Sequence, residues 1–539
     1  MRNASNVPSV SVLPLFLFTI AALIAANDQA QPLSPSPYDK VGSAMQIISF
    51  AYVDSVKIDK LAEDAVVGML EKLDPHSVYI SKDDLKEANE PLEGSFEGIG
   101  IQFQILNDTI VVISPISGGP SERLGIQAGD KIIKIEEKNV AGIKIKNEDV
   151  IKQLRGKKGT QVTTAILKVG SEKIVNYTIT RDKIPLYSVD ASYMAAPDIG
   201  YIKVNRFSAT TTEEFRAALD KLQSKGMKNM ILDLQDNGGG FMQPAIEMAD
   251  EFLGDKKMIV YSQGLYSPKQ VNLATSKGSF ESGKLVVLIN EGSASASEIV
   301  TGAVQDWDRG LVIGRRSFGK GLVQKPFPLS DGSVIRLTIA RYYTPVGRNI
   351  QKSYKDGIEE YSKDLSSRFK HGELTSADSI HFPDSLKFFT PNMRTVYGGG
   401  GIMPDIFVPL DTTKNSDYFT NLFRHGILSK FSLNYVDRER NKLNTAYPSA
   451  GEFVRNFTIT KSFMDEFFEF AQKDSVKNDP KGYEISKEAI QNQLKARIAQ
   501  NLFGNDAMME IYNSISPPYL KAIEAIRNDT FVKMKIAGK

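Results

Sequence analysis

The sequence predicts a multidomain α+β protein, and three observations along the chain support this fold class. Short β-type runs separated by Gly and Pro occupy residues 93–183, whereas strand and helix patterns alternate over residues 200–314. Apolar residues recur at helical spacing before residue 86 and again after residue 411. Because alternating strands and helices are typical of parallel β-α-β units, we expect a parallel sheet in the middle of the chain.

Length and composition exclude several classes of protein. The 539 residues are too many for one ordinary core, and at ~150 residues per domain they indicate three or four domains. The net charge of +2 gives no reason to expect a nucleic-acid partner. The chain has no cysteine, which excludes disulfides, thiolate nucleophiles and Cys-ligated zinc. With four histidines and no HExxH pair, we expect neither a metal nor a cofactor.

An apolar run near the N-terminus predicts export. Residues 13–26 are apolar but fall short of the ~18–20 residues needed to cross a bilayer, which is typical of a signal peptide. The polar, Pro-rich residues 27–37 then form a linker. We therefore expect a periplasmic or envelope-associated protein. An uncleaved segment that anchors the chain and a buried helix are the alternatives.

A run of small residues contains three candidate nucleophiles. Ser293, Ser295 and Ser297 follow an apolar strand pattern directly and lead into a helix pattern. Free N–H groups at the start of a helix favour negative charge that develops beside a serine. The alternative is an ordinary helix cap, because Ser295 followed three residues later by Glu298 also fits a capping box.

Lys320 is a candidate general base because it lies between two glycines in the turn RSFGKG. A serine hydroxyl needs a base to become a nucleophile, and no histidine stands in a sequence context that marks it as one. A lysine serves only when neutral, so burial must bring its pKa from about 10.4 to roughly 7, at about 4 kcal/mol. A solvated surface lysine is the alternative. The phosphate-loop pattern is not met, because Gly321 follows Lys320.

A glycine-rich loop follows an upstream strand pattern. Residues 233–240 read DLQDNGGG and precede a helix pattern. Consecutive glycines let backbone N–H groups approach a ligand closely, as an oxyanion hole requires. A tight turn between strand and helix is one alternative. A dinucleotide loop is another, although the G-x-G-x-x-G spacing is absent.

Taken together, NEGSASASEI, RSFGKGLVQ, ILDLQDNGGG and ARYYTPVGRNIQ resemble the motifs of the C-terminal processing peptidases, also called tail-specific proteases. LDPHSVYI and GGGIMPDIFVP extend the resemblance over roughly residues 40–411. It implies a crotonase/ClpP-like α/β peptidase core with an inserted PDZ domain, a helical N-terminal cap and a helical C-terminal extension.

The resemblance also implies a site. Ser295 would be the nucleophile, Lys320 the base and Gln324 the residue that orients the lysine. Backbone amides of Gly240 and Ala296 would form the oxyanion hole. The family's loop often reads DLR-x-N-P-G-G. This chain has Gln235 and Gly238 at the Arg and Pro positions, a departure that concerns the rigidity of the loop more than the chemistry.

Residues 93–184 resemble a PDZ domain, which implies that the chain binds C-terminal peptides. The loop that would bind the terminal carboxylate contains Gly98, Ile99, Gly100 and Ile101. Such domains add the end of a peptide to a sheet edge and capture its carboxylate with backbone N–H groups. The alternative is a PDZ-like fold retained only as a spacer or lid.

We thus expect five segments: a signal peptide and linker (1–30), a helical cap (31–92), a PDZ domain (93–184), a serine peptidase core (185–411) and a helical domain (412–539). The function implied is a Ser/Lys endopeptidase that cleaves unfolded C-terminal tails of exported proteins, with no nucleic-acid partner. The helical domain is expected to serve self-association, adaptor docking or bracing. A non-catalytic PDZ adaptor or chaperone is the main alternative. A further alternative is a chymotrypsin-type protease that uses His76, although the nucleophile motif of that class, G-[DN]-S-G-G, is absent.

Overall fold

The computed structural model describes residues 36–106, 108–116 and 118–536, and the chain divides after Leu73 into two compact units. The predicted signal segment, residues 1–30, lies outside the described residues. None of the described helices is both long enough and apolar enough to cross a membrane.

In its described part, residues 36–73, the first unit contains two helices, α1 (Pro37–Ala51) and α2 (Ile58–Leu70). Ser36 fixes the start of α1, because its hydroxyl accepts a hydrogen bond from Tyr38 N at 3.2 Å. Pro37 at the first helical position suits the same start. The helical spacing of apolar residues therefore predicted the secondary structure of this unit.

The second unit begins with β1 (Val78–Ile80) and α3 (Leu85–Glu93). Gly94 ends α3 with a left-handed φ of 70°. Only helices were expected over residues 31–92, so β1 is a strand that the sequence did not predict. These residues become a strand by pairing with residues 334–336, and local periodicity does not reveal so distant a partner.

A β-rich module follows. Its elements are β2 (Ser95–Gly98), β3 (Ile101–Leu106), β4 (Thr109–Pro115), α4 (Pro120–Arg123), β5 (Lys131–Ile135), β6 (Lys138–Asn139), α5 (Asn147–Leu154), β7 (Gln161–Leu167), β8 (Ile174–Thr180) and β9 (Asp182–Pro185). The antiparallel sheet runs β3-β4-β5-β7-β8, with β6 beside β5, so β3 is an edge strand. β2 and β9 pair with each other where the chain enters and leaves the module.

The core that carries the candidate nucleophile comes next. Its elements are β10 (Val189–Ala196), β11 (Ile199–Val204), α6 (Thr211–Gln223), β12 (Asn229–Asp233), α7 (Met242–Asp250), β13 (Met258–Gln263), β14 (Gln270–Leu273), β15 (Leu285–Ile289), α8 (Ala296–Asp306), β16 (Leu311–Gly314), β17 (Leu322–Pro328), β18 (Val334–Tyr343), α9 (Ile358–Lys370), β19 (Lys387–Phe389), β20 (Thr395–Tyr397) and β21 (Ile406–Phe407).

The C-terminal region is helical. Its helices are α10 (Asp417–Arg424), α11 (Ile427–Ala446), α12 (Ala450–Asn456), α13 (Lys461–Lys473), α14 (Pro480–Phe503), α15 (Asn505–Asn513), α16 (Pro517–Arg527) and α17 (Thr530–Lys533). The phenylalanine and aliphatic residues that recur here at helical spacing pack into a hydrophobic core within this region. Leu433 of α11 packs against Leu106 and Val111, so this region braces the β-rich module.

The central sheet runs β10-β11-β12-β15-β16-β21, and all its pairs are parallel except β10 with β11. Alternate residues of β15 face opposite sides, as the period of a strand requires. Leu285, Val287 and Ile289 pack against α6, α7 and α8, whereas Val286 and Leu288 pack against α16. Helices cover both faces, which is why these strands are continuously apolar.

A second sheet of five strands runs β1-β18-β13-β14, with β17 also beside β18. β17 follows the turn that carries Lys320, so this sheet sets the position of the turn. Residues 352–395 show no clear apolar period and read as polar and irregular in the sequence, but they include α9. This helix has a strongly polar sequence and buries only Tyr361 and Arg368, which explains why periodicity did not reveal it.

Candidate active site

Three loops meet at one edge of the central sheet. β12, β15 and β16 are parallel neighbours, so the loops that follow their carboxyl ends lie side by side. Asn290 joins the first two loops, because its Oδ1 accepts from Asp236 N and its Nδ2 donates to Asp236 Oδ1, both at 2.8 Å. Phe318 N donates to Ser293 O at 2.9 Å and joins the third. The predicted nucleophile, base and oxyanion loops therefore converge.

Ser295 stands at the start of α8 in a strained backbone conformation. Its φ of 55° and ψ of −111° are rarely adopted by residues other than glycine. Gly239 packs directly against it, and a Cβ on Gly239 would lie 2.8 Å from Ser295 Cβ. This close approach requires glycine in the facing loop, and the half-buried serine lines the cleft.

The other two candidate serines have structural roles. Ser293 and Ser297 are fully buried. The Ser293 hydroxyl donates to Leu234 O and the Ser297 hydroxyl to Asn237 O, each at 2.8 Å. Both hydroxyls thus bind the glycine-rich loop to the start of α8, which leaves Ser295 facing the cleft.

The side chain of Lys320 is directed along β17. Its Nζ donates to Gln324 Oε1 at 3.3 Å, and Gln324 Nε2 donates to His76 O at 2.5 Å. Burial lowers the pKa of Lys320, and the positive charge of Arg336 lowers it further. The structure therefore brings the predicted lysine and glutamine together, and the burial favours the neutral amine.

Glu298 connects the two candidate catalytic residues through their backbones. Its Oε2 accepts from Ser295 N at 2.7 Å and from Lys320 N at 2.9 Å. Its Oε1 accepts from Ser317 Oγ and Gly319 N at 2.5 and 2.8 Å. Burial raises the pKa of Glu298 to about 7 although four donors stabilise the anion. The capping-box interpretation of Glu298 therefore described only one of its four hydrogen bonds.

Tyr342 provides a second connection. Its hydroxyl lies 2.9 Å from Ser295 O and 2.5 Å from Lys320 O, within a side chain that is 1% exposed. Together, Glu298 and Tyr342 contact the N–H and the C=O of both residues. The relative position of residues 295 and 320 is thus set by the polypeptide backbone.

The glycine-rich loop is held close to Phe207. A Cβ on Gly240, whose φ is 147°, would lie 2.0 Å from Phe207 O, so no side chain fits there. Among the described residues, no acceptor is assigned to the N–H of Gly240 or Ala296, and both residues line the cleft beside Ser295. These are the properties that oxyanion donors require.

Lys203 supports the loop at the point where it departs from the family's sequence. Its Nζ donates to Asp233 Oδ1 at 3.1 Å and to Gln235 O at 2.6 Å. Tyr201 donates to the other oxygen of Asp233 at 2.7 Å. An ion pair from the neighbouring strand thus anchors the loop.

Ser295 and Lys320 share a cleft of about 640 Å³. Its apolar lining comes from Leu92, Met242, Ile299, Leu322, Val323 and Val334. Arg336 also lines the cleft and donates to Asn89 Oδ1 at 3.3 Å. In the part of the chain that the structure describes, no group of three His, Asp or Glu side chains is arranged to hold a metal ion.

A separate groove lies in the β-rich module, between the free edge of β3 and helix α5. The predicted carboxylate-binding residues Gly98, Ile99, Gly100 and Ile101 form one end of it. The groove encloses about 300 Å³ and has an apolar floor that includes Phe96, Ile151 and Leu154. Its shape can take an extended peptide that ends in an apolar side chain.

Sequence reasoning missed several residues around Lys320. His76 was weighed only as an alternative base, but its Nε2 is hydrogen-bonded to Tyr361 OH at 2.8 Å and its carbonyl contacts Gln324. Tyr342 lies in the quoted motif ARYYTPVGRNIQ, which was the available signal for it. Arg336 gave no signal in the sequence.

Four family models match the chain. The description "Peptidase family S41" matches residues 198–360, and "PDZ domain" matches residues 98–179. "Activating protease CtpB N-terminal domain" matches residues 21–84. Residues 418–504 match a family of unknown function, DUF8443.

Curated relatives cover most of the chain. The carboxy-terminal processing proteases CtpA and CtpB of Bacillus subtilis are 34% and 37% identical over 67% and 68% of this chain, which correspond to 78% and 75% of theirs. The photosystem II D1 C-terminal processing protease, a solved structure, is 26% identical over 68% of this chain and 92% of its own, with a TM-score of 0.35. The two Bacillus relatives show that this chain belongs to the carboxy-terminal processing protease family and is a serine-type peptidase with an S41 peptidase fold and a PDZ domain.

Proposed function

We propose that the chain is an endopeptidase that cleaves the unfolded C-terminal tails of other proteins with a Ser295–Lys320 dyad. One observation carries the proposal. Ser295, in a strained backbone conformation, and Lys320, with its lowered pKa, line one cleft and are bound to each other through Glu298 and Tyr342.

The reaction follows from the chemistry of these groups. The neutral amine of Lys320 takes the proton of the Ser295 hydroxyl, and Oγ attacks the scissile carbonyl. The N–H groups of Gly240 and Ala296 stabilise the oxyanion. The Lys320 ammonium then gives its proton to the leaving amine of the substrate. The peptide bond breaks, an acyl-enzyme forms at Ser295, and the Lys320 amine is neutral again. Lys320 next takes a proton from a water molecule whose oxygen attacks the acyl carbon. The bond from this carbon to Ser295 Oγ then breaks, Lys320 returns the proton to Oγ, and the acyl group leaves as a carboxylic acid.

Gln324 orients the base in this scheme. Its Oε1 accepts from the Lys320 amine, and its Nε2 is engaged by the carbonyl of His76. Because the neutral amine donates an N–H to this fixed amide, its lone pair remains available to take the proton of the serine. Gln324 is therefore proposed to work as an orienting acceptor and not as a proton carrier.

We also propose that the groove of the PDZ domain binds the substrate's C-terminus. Edge strand β3 offers backbone groups that can pair with an extended peptide. Backbone N–H groups of the loop from Gly98 to Ile101 would bind the carboxylate, and the apolar floor would contact the last side chain. A substrate with an amidated C-terminus should then bind about tenfold to a hundredfold more weakly, because a charge-assisted hydrogen bond contributes ~1.5–3 kcal/mol.

Three further points are proposals about setting and fold. The parallel strands β11, β12, β15 and β16, with helices on both faces, support assignment of the core to the crotonase-like α/β class. The apolar residues 13–26 support action in the cell envelope, which fractionation of cells that express the full chain will test. An adaptor or a second copy would bind the C-terminal helices, and analytical ultracentrifugation tests self-association.

Labelling with a fluorophosphonate probe tests the dyad. The parent should be phosphonylated at Ser295 with loss of fluoride, whereas Ser295→Ala and Lys320→Met should neither react nor cleave a disordered protein. Ser293→Ala and Ser297→Ala are the matched controls, and both should still be labelled because those hydroxyls bind backbone carbonyls. Cleavage by Ser295→Ala at the parent's rate would refute the proposal. Binding of tails without any turnover by the parent would instead favour the adaptor alternative.

A further inference from the structure

Helix α9 contacts the turn that carries Lys320. Arg368 Nη1 donates to Ser317 O at 2.8 Å, and its Nη2 donates to Phe318 O at 3.1 Å. The Lys352 ammonium, which precedes the helix, lies 4.0 Å from the ring centroids of both Phe318 and Tyr361. The helix therefore fixes the carbonyl groups and the aromatic ring directly before the candidate base.

The loop that precedes β1 holds the opposite side of the base. The carbonyl of His76 accepts from Gln324, the partner of the Lys320 amine. Asp74 secures this loop, because its Oδ1 accepts from His76 N at 2.8 Å and from Thr338 Oγ1 at 3.1 Å. The position of the Gln324 amide thus depends on the 74–77 loop.

Tyr361 of α9 joins these two sides. Its hydroxyl accepts from Gln351 Nε2 at 3.4 Å and lies 2.8 Å from His76 Nε2. Gln351 Oε1 in turn accepts from Gly321 N at 2.8 Å. These hydrogen bonds form a circuit that begins at the Lys320 amine and ends at the backbone N–H of the following residue, Gly321. Its members are Lys320, Gln324, His76, Tyr361, Gln351 and Gly321.

We infer that Tyr361 and His76 are positioning residues for Lys320: the circuit that they close holds the amine in its reactive direction. The inference rests on the proposed dyad. A lysine side chain has many rotamers, so an unguided amine would spend most of its time away from the serine. Neither residue touches the substrate in this scheme, and both act through Gln324 and the backbone of the turn.

The protonation state of His76 suits this role. Burial is the main cause that lowers its pKa to about 4; the neighbouring Lys320 and Lys352 act in the same direction, and Asp74 opposes them. At neutral pH the imidazole is therefore uncharged. Its Nε2 can accept a hydrogen bond from the Tyr361 hydroxyl. The uncharged ring adds no positive charge beside the Lys320 amine, which must itself be neutral.

Tyr361→Phe tests the inference because it removes the hydroxyl and keeps the ring that packs on Phe318. We expect kcat and the rate of Ser295 acylation to fall about tenfold, the effect of one lost hydrogen bond, with KM within twofold of the parent. The pH at which kcat/KM is half-maximal should also change. Tyr354→Phe is the matched control. Tyr354 accepts a hydrogen bond from Arg341 away from the circuit, so this variant should match the parent.

His76 provides the independent arm. His76→Ala should resemble Tyr361→Phe, whereas His76→Gln, whose amide can replace Nε2 as the partner of the tyrosine, should recover most of the rate. Combining His76→Ala with Tyr361→Phe should add little, because both break the same circuit. If Tyr361→Phe does not fold, the contrast between His76→Ala and His76→Gln decides the question.

The outcomes separate this inference from the proposed function. If Lys320→Met is inactive but Tyr361→Phe acylates and turns over like the parent, the circuit does not position the base and the inference is wrong. It is equally wrong if Tyr354→Phe loses as much activity, or if His76→Gln is as slow as His76→Ala. If Lys320→Met retains full activity, the dyad itself is wrong.

Discussion

Glu298 Oε2 lies 2.9 Å from the backbone nitrogen of Lys320, and the same oxygen accepts the backbone N–H of Ser295. The carboxyl group is fully buried. It therefore fixes the spacing between nucleophile and base without contacting either reactive atom. A buried acceptor with four donors is costly to replace, because any donor left without a partner loses ~1–3 kcal/mol.

Glu298→Gln should lower kcat about tenfold to a hundredfold and stability by about 2–4 kcal/mol. A glutamine presents an NH2 group to two donors, so either the pair Ser295 and Lys320 or the pair Ser317 and Gly319 loses its acceptor. Peptide hydrolysis and urea unfolding measure the two effects. Glu251→Gln is the control, since it also removes a buried carboxylate that accepts from a serine, but outside the cleft. Equal kcat in the two variants would contradict a role for Glu298 in spacing the dyad.

The stability of the parent should also depend on pH through Glu298. Its pKa in the folded state is about 7, above the ordinary value of 4.5, so the folded protein binds the extra proton between these values. Stability must then decrease as the pH rises from about 4.5 to 7. Urea unfolding across this range should show a smaller decrease for Glu298→Gln. An identical slope in both proteins would show that the carboxyl titrates normally.

Arg336→Gln should move the rising limb of the pH–rate profile to higher pH. Activity requires a neutral Lys320, so kcat/KM rises as the pH passes through the pKa of this amine. Burial is the main cause that lowers that pKa, and the positive charge of Arg336 lowers it as well, so removal of this charge should raise it. Arg341→Gln on the exposed side of β18 is the control and should leave the limb in place. A limb that moves to lower pH would be inconsistent with a lysine base.

Tyr342→Phe should reduce stability by about 1–2 kcal/mol and kcat about tenfold. The hydroxyl lies against the carbonyls of Ser295 and Lys320, which lose a buried donor when it is removed. Tyr343→Phe, at the neighbouring position where the ring stacks on Tyr261, should have little effect on kcat. Thermal unfolding and steady-state kinetics distinguish the two variants. Unchanged kcat in Tyr342→Phe would show that Glu298 alone sets the spacing.

Ile151→Asp tests binding of substrate tails by the PDZ groove. Ile151 is 39% exposed and lines the groove, so the substitution should spare the fold while placing a negative charge beside the substrate carboxylate. We expect KM for tailed proteins to rise about tenfold, the effect of ~1.5 kcal/mol of lost apolar contact. Hydrolysis of a short peptide without a tail should be unchanged. Ile174→Asp, 54% exposed on β8, is the control. An equal KM for both variants would rule out the groove as the tail site.

The sequence alone indicated much of the fold because the relevant signals are local. Alternation of strands and helices predicted the parallel core, and stripes at helical spacing predicted the C-terminal helices. The strand β1 and helix α9 escaped detection for different reasons. β1 exists only through its pairing with β18, and α9 is too polar for its periodicity to stand out.

The sequence by itself determined the chemistry that this chain can perform. A serine among small residues, a lysine between glycines and a triple-glycine loop are local patterns, and the absence of cysteine left few other nucleophiles. Only the tertiary structure decided what surrounds the lysine. His76 and Gln324 are 248 positions apart, and His76 and Tyr361 are 285 positions apart, yet both pairs are in hydrogen-bond contact. Residues so distant in the sequence meet only when the sheets pack, and the burial that lowers the pKa of Lys320 arises in the same step.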